Sequence, residues 1–265
     1  MEILKARSGS KAKVLCPGPA GERRIPYATV FADGDASCSG GIGAAMGAKN
    51  LKAIVLRGSN RQVHTHEPEE VRRIAREIRS FGRGNVKVWG LDFMASGPNV
   101  KKLPCAGCMA SCLRVRYTAG NGKRGKYMCQ SRVFYLPYAL DYYGRENDVP
   151  FLANRLCDEY GIDTWELQEI IDWLDRCRKE GLLPDARAGF ALSKIGSLEF
   201  IEELLEAIVT GTGIGPLLAT GPGKAAAELG SEFTAQLEPA DPYDPRYCTV
   251  NALLFPFDTR EPIQQ

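Results

Sequence analysis

The segment Cys105-Ala-Gly-Cys108-Met-Ala-Ser-Cys112, directly after Leu103-Pro104, constrains this chain more than any other. Its C-x2-C-x3-C spacing puts three sulfurs within eight residues. Thiolates that close in sequence converge when the backbone wraps around one centre, either an iron–sulfur cluster or a zinc ion. A cubane cluster takes four thiolates, so that reading needs a fourth from elsewhere. Zinc sites often pair two knuckles, but this chain has no second C-x2-C, and its only histidines, His64 and His66, are distant in sequence. Three clustered thiols with no ligand are the plain alternative.

The other cysteines narrow the context. There are nine in 265 residues, an odd and scattered set, and Met1-Glu-Ile-Leu-Lys-Ala-Arg7 has no apolar signal core. A reducing, cytoplasmic setting with thiols used for metal fits this better than a disulfide framework. With 44% hydrophobic and 25% charged residues the composition is that of a globular protein. A net charge of +2 gives no basis for nucleic-acid or membrane-surface binding, and no apolar run is long enough to span a bilayer.

Along the chain, residues 1–13 read as an irregular lead-in. Cys16-Pro-Gly-Pro-Ala-Gly-Glu22 is a Pro/Gly turn, and Tyr27–Ala32 and Leu51–Arg57 read as strands. Between them, Cys38-Ser39-Gly40-Gly41-Ile-Gly43-Ala-Ala-Met-Gly47-Ala-Lys-Asn50 has two readings. One is a cradle whose backbone amides approach a ligand; the other is a small-residue helix packed on a sheet. It is neither a dinucleotide fingerprint nor a P-loop, since the glycine spacing and context differ. Residues 67–81 form an amphipathic helix with Val71, Ile74, Ala75 and Ile78 in one stripe and the arginines toward solvent. Residues 113–145 are rich in aromatics and read either as a pocket lining or as a tyrosine-rich layer over the core. Helices follow at 149–160, 164–180 (capped by Thr164), 197–209 and 216–229, with loop from Ser231 onward. In Asp158-Glu-Tyr-Gly161-Ile162-Asp163, local reasoning makes the residues helix punctuation, with Gly161 ending one helix and Asp163 near the start of the next. The fold class expected is α+β, with a short β-rich N-terminal part followed by a mainly α-helical domain.

Four separated pieces, in order, resemble one family, the tungsten-containing aldehyde ferredoxin oxidoreductases. They are Gly18-Pro-Ala-Gly-Glu22, the segment 40–54, the cysteine triplet, and Asp158-x-x-Gly161-Ile162-Asp163-Thr164. Leu217-Leu-Ala-Thr-Gly-Pro-Gly-Lys-Ala-Ala-Ala-Glu228 also fits, so the resemblance runs from about Val14 to Gln265.

The resemblance implies that Cys105, Cys108 and Cys112 ligate a 4Fe-4S cluster. It implies that Asp158 and Asp163, with the Gly161-Ile162 backbone, hydrogen-bond one pterin of a tungsten (or molybdenum) bis-pterin. Cys38, Ser39, Gly40 and Gly41 would face the other pterin. Ferredoxin or another electron carrier would be the partner, and an aldehyde, oxidised to its carboxylic acid, the substrate. A homo-oligomer is compatible with this. No residue is tied by a motif to general-base catalysis.

Two departures stand out. The family usually carries an arginine just before the Gly-Gly pair, where this chain has Cys38-Ser39. The family's fourth cluster cysteine, in a second Asp-x-x-Gly-Leu-Cys motif, has no counterpart here; Cys129, Cys157, Cys177 and Cys248 lack that context. The expectation is therefore a fragment, inactive by itself. Residues 1–65 would end the pterin-binding N-terminal domain, 66–230 would form the helical domain, and 231–265 would begin a C-terminal domain. Two other readings remain open. One is an aromatic acyl-CoA reductase of the benzoyl-CoA type, which Tyr243–Cys248 and Arg260–Pro262 resemble. The other is a non-catalytic electron-transfer or zinc-stapled module.

Overall fold

A computed structural model describes residues 1–9, 11–33, 36–58, 65–80, 99–104, 114–127, 133–238 and 253. The apolar and β-branched pairs Val14-Leu15, Val30-Phe31 and Ile54-Val55 lie in one antiparallel sheet of order β3-β2-β1-β4. Its strands are β1 (Lys13–Pro17), β2 (Val30–Ala32), β3 (Ala36–Cys38) and β4 (Ile54–Leu56). The register pairs Cys16 with Phe31 and Phe31 with Ser37, so these three side chains share a face. A second antiparallel sheet of order β5-β6-β7 combines β5 (Val100–Lys102), β6 (Val115–Thr118) and β7 (Arg124–Tyr127).

The helices are α1 (Glu2–Ser8), α2 (Pro19–Glu22), α3 (Ile42–Ala48), α4 (Pro68–Ser80), α5 (Leu136–Tyr143), α6 (Val149–Tyr160) and α7 (Thr164–Lys179). Then come α8 (Asp185–Ala188), a 3-10 turn (Leu192–Lys194), α9 (Leu198–Thr210), α10 (Gly215–Leu218), α11 (Pro222–Leu229) and α12 (Ser231–Thr234). The main core lies between α6, α7 and α9, with Trp173, Leu174, Ile170, Phe200, Ile201 and Leu204 fully buried. A smaller core under the second sheet stacks Tyr117, Tyr127 and Phe151, with ring centroids 5.0–5.7 Å apart. The α+β class expected from the sequence is what the chain adopts.

Several local expectations are corrected. The N-terminal lead-in contains helix α1. Good helix formers fill it, and Lys5 pairs with Asp33, whose Oδ2 accepts from Val14 N at 2.7 Å. Helix α7 is capped by Asp163, not Thr164: Asp163 Oδ1 accepts from Trp165 N at 2.9 Å. The helix expected at 216–229 breaks into α10 and α11, because Gly221 takes φ +95° and Pro222 disfavours helical geometry before it. The strand expected over Tyr27–Ala32 shortens to β2, with Ala28 making only an isolated bridge to Ile162. The chain from Ser231 starts with helix α12 rather than loop.

Helix α4 forms as expected, stiffened by the Glu70–Arg73–Glu77 ion pairs, but it buries no residue. Its stripe residues Val71, Ile74 and Ile78 are 51%, 42% and 46% exposed. The aromatics of 113–145 divide: Phe134 and Tyr135 are core residues, while Tyr142 and Tyr143 are exposed. Tyr138 and Tyr142 line an open groove of about 580 Å³ with Asp141, Asp175 and Arg178.

Candidate functional site

Residues 26–29 hold the site together, and the sequence pattern did not single them out. This short strap runs between two of the motifs and bonds to both. On one side the Ala28 carbonyl accepts from Gly43 N at 3.0 Å. On the other, Thr29 N donates to the Gly161 carbonyl at 2.8 Å, and the Tyr27 carbonyl accepts from Asp163 N at 3.2 Å. The buried Tyr27 hydroxyl donates to the Leu218 carbonyl at 2.8 Å and ties the strap to the helical layer. Burial raises the Tyr27 hydroxyl far above an ordinary phenol, with the Glu166 charge adding to the effect, so it stays a donor.

Glycines make this approach possible. Gly161 closes α6 at φ +74°, and a Cβ there would sit 2.7 Å from Gly18 N and 2.8 Å from Gly18 Cα. A Cβ on Gly18 would strike the Tyr160 carbonyl. The Gly18–Glu22 turn is thus pressed against the Asp158–Asp163 loop, and two motifs 140 residues apart in sequence (18 and 158) become one surface.

The segment 40–48 divides along its length: the small-residue packing expected of it is found in the helix, and an open turn precedes it. Gly43 and Gly47 are packing residues: α3 lies on α2, where a Cβ on Gly47 would meet the Gly21 carbonyl and one on Gly21 would lie 2.8 Å from the Gly43 carbonyl. Gly40 and Gly41 are different. They take φ +80° and +73° in succession, and a Cβ on Gly40 would meet nothing within 4 Å. Cys38, Ser39 and Gly40 are exposed at the end of edge strand β3, and Gly41 sits on the Pro26 carbonyl at the start of the strap. A left-handed Gly-Gly turn with Gly40 exposed suits close approach of a ligand to backbone.

Within Asp158–Asp163 the backbone donors are already used: Gly161 N and Ile162 N both donate to the Cys157 carbonyl, at 2.8 and 2.9 Å. What this loop offers a ligand is therefore side-chain and carbonyl oxygen. Asp158 is buried, with Arg155 Nη1 at 3.4 Å from its Oδ2. The Arg155 guanidinium in turn lies 5.3 Å from the Phe31 ring centroid. Asp163 uses Oδ1 as the α7 cap. Next to Asp158, the Cys157 thiol is raised well above an ordinary thiol by burial and by the nearby charges of Asp158 and Asp163, so it is a neutral core residue. Across the sheet face, the buried Lys126 donates to Ser37 Oγ at 3.0 Å, beside the Cys38 turn.

One group here has no partner. Asn154 lies one turn before Asp158 on α6 and is 1% exposed, and its Nδ2 makes no hydrogen bond among the described residues. An amide donor one turn from a buried acceptor carboxylate suits a heterocycle bearing both N–H and carbonyl groups. A pterin fits that description. Cys105, Cys108 and Cys112 lie outside the described residues. Among the described residues, no group of three or more His, Cys, Asp or Glu side chains is arranged to hold a metal ion. No helix among them is long and apolar enough to cross a membrane.

The family model described as aldehyde ferredoxin oxidoreductase, domains 2 and 3, matches residues 85–257, and that for the N-terminal domain matches residues 1–58. Tungsten-containing aldehyde ferredoxin oxidoreductases of Pyrococcus horikoshii and Pyrococcus furiosus are 26% and 27% identical, over 92% of this chain and 47% of theirs. The aliphatic sulfonate oxidoreductase WOR-like subunit of Pyrococcus furiosus is 25% identical, over 80% of this chain and 40% of its own. The chain thus spans about half the length of the curated relatives it matches. The active-site complex BamBC of benzoyl coenzyme A reductase, solved with 1,5-dienoyl-CoA, superposes with a TM-score of 0.69 at 22% identity. That match covers 89% of this chain and 42% of the solved one, and shows a shared fold.

Proposed function

This chain belongs to the aldehyde ferredoxin oxidoreductase family, and on that premise we propose that it supplies pterin-binding and cluster-binding elements of a tungsten-dependent oxidoreductase. The observation that carries the reading is the strap at 26–29, which bonds at once to the glycine segment and to the Asp158–Asp163 loop. Asp158 and Asp163 hold the N–H edge of one pterin through their carboxylates. Cys38, Ser39, Gly40 and Gly41 bound the other. Cys105, Cys108 and Cys112 give three ligands to a 4Fe-4S cluster. When bound, the pterin-held metal, tungsten or molybdenum, supplies two-electron redox chemistry and the cluster single-electron transfer. The chain's own residues orient the pterin: Arg155 fixes the Asp158 carboxylate, and the α7 cap fixes Asp163.

The reaction we assign is oxidation of an aldehyde to its acid, with ferredoxin as electron acceptor, in a reducing cytoplasm. By this reading residues 1–65 close the N-terminal domain, 66–230 form the helical domain and 231–265 open the next. A second reading, reduction of an aromatic acyl-CoA, is favoured by the fold shared with the benzoyl-CoA reductase complex.

Anaerobic purification followed by metal analysis and electron paramagnetic resonance tests both. About four irons per cluster, tungsten or molybdenum, and a reduced-cluster signal lost in Cys108→Ala support the oxidoreductase. Reduction of a ferredoxin by aldehydes, against oxidation of a reduced one by aromatic acyl-CoA, separates the two reactions. Zinc without iron or tungsten would refute both and leave a zinc-stapled module.

A further inference from the structure

Helical spacing puts Phe151, Asn154 and Asp158 along one ridge of α6, which Gly161 closes at its C-terminal end. Phe151 is sealed against Tyr117 and Tyr127, and Gly161 against Gly18. Asn154 and Asp158 occupy the stretch between these anchors, both buried. A buried amide whose N–H groups find no acceptor destabilises the fold, and a leucine of nearly the same shape would carry no such penalty. An unmade donor one helical turn from a buried carboxylate is the complement of a pyrimidinone edge, where two N–H donors adjoin a carbonyl oxygen.

We propose that Asn154 is a further pterin-binding residue, donating from Nδ2 to the ring carbonyl while Asp158 accepts from the neighbouring N–H groups. The inference rests on the pterin reading above. It adds a residue outside the Asp158-x-x-Gly161-Ile162-Asp163 motif, and it gives the orphaned amide a reason.

The test is Asn154→Leu in the protein, with two readouts. The first is the thermal midpoint of apo-protein made in a host unable to synthesise molybdopterin. The second is the rate of pterin release from loaded protein, followed by the fluorescence of its oxidised derivative. The expected result is an apo midpoint equal to or above wild type, with release about tenfold faster, the worth of one neutral hydrogen bond. Asn154→Ser, too small to overpack, should speed release by a similar factor. Unchanged release in both variants, while Asp158→Asn releases quickly, overturns the role of Asn154 and leaves the pterin reading intact. A lowered apo midpoint in both variants shows that the amide serves the fold, and also overturns it. Wild-type protein without pterin removes the premise and the inference together.

Discussion

The contact between Gly18 and Gly161 makes a graded prediction about what holds the two motifs in register. Three Gly→Ala substitutions separate the two costs involved. Gly144 ends α5 at φ +66° with open space around it, so Gly144→Ala tests left-handed strain alone. That strain is about 1–2 kcal/mol, partly offset by about 0.4–1 kcal/mol from a stiffer unfolded chain. Gly18 has φ −84°, which alanine adopts freely, so Gly18→Ala tests only the collision with the Tyr160 carbonyl, about 1–3 kcal/mol for an overpacked methyl. Gly161→Ala incurs both, left-handed strain and a Cβ at 2.7 Å from Gly18 N, and should cost about 3 kcal/mol. That is a large part of the roughly 5–15 kcal/mol by which domains are stable.

Urea unfolding followed by tryptophan fluorescence is a suitable assay, since Trp165 and Trp173 lie on α7, directly after the loop. The expected order of destabilisation is Gly144→Ala, then Gly18→Ala, then Gly161→Ala. The double variant Gly18→Ala/Gly161→Ala should fall short of the sum, because the first methyl already parts the two backbones. A Gly161→Ala cost no larger than that of Gly144→Ala would refute the claim that this close approach fixes the motifs.

Other outcomes follow from single contacts. Tyr27→Phe leaves the buried Leu218 carbonyl without its donor and should lower stability by about 1–2 kcal/mol in the same urea assay. Asp163→Ala loses the α7 cap, at about 1 kcal/mol, while Asp163→Asn keeps it; if Asp163 also serves a pterin as an anion, both variants lose bound pterin in a fluorescence assay although only the first loses stability. Burial pushes the Asp33 carboxyl upward, but the Lys5 ammonium and Val14 N–H outweigh it and hold it below the usual range. A depressed carboxylate stabilises the fold above its unfolded value of about 3.9 and loses that contribution as pH falls through its folded value. Asp33→Asn should therefore flatten the acid limb of a stability–pH profile, and an unchanged limb would contradict this account.

What was legible in the sequence follows the range of the forces involved. Helices α6, α7 and α9 were readable because apolar periodicity is local, but their caps were placed less well: Thr164 was expected to cap α7, where Asp163 does, and Ser197, read as part of α9, caps it through Oγ accepting from Phe200 N. Helix α4 was readable for the same reason, yet its exposed stripe was not, since periodicity shows that a face is apolar and not what meets it. Helix α1 was missed because its hold is the pairing of Lys5 with Asp33, a contact across 28 residues (33 − 5) with no local signature. The strap escaped for a related reason: it works through main-chain groups, and backbone hydrogen bonds from residues 27–29 leave no mark on side-chain pattern. Asn154 gave no signal beyond being a polar residue at a helical position, and only its burial singles it out.

Structural and ligand-binding readings of these motifs, treated as rivals on the sequence alone, are compatible in this fold, because the packing roles leave the proposed ligand groups in place. Gly43 and Gly47 pack α3 onto α2 and the strap, with Gly41 seated on the Pro26 carbonyl and Gly40 in the open, both at left-handed φ. Asp163 caps α7 with one carboxylate oxygen while its own N–H bonds the Tyr27 carbonyl of the strap. Gly161 ends α6 and in doing so lets Gly18 close over the loop, fixing where Asp158 and Asn154 sit. A residue already immobilised by the fold loses little further freedom when a ligand arrives, so the same hydrogen bond contributes more to binding. On that argument helix punctuation at Asp158–Asp163 would be the means by which the chain prepares the proposed site, and a variant that relaxes the punctuation should weaken pterin retention even where every side chain proposed to touch a cofactor is unchanged.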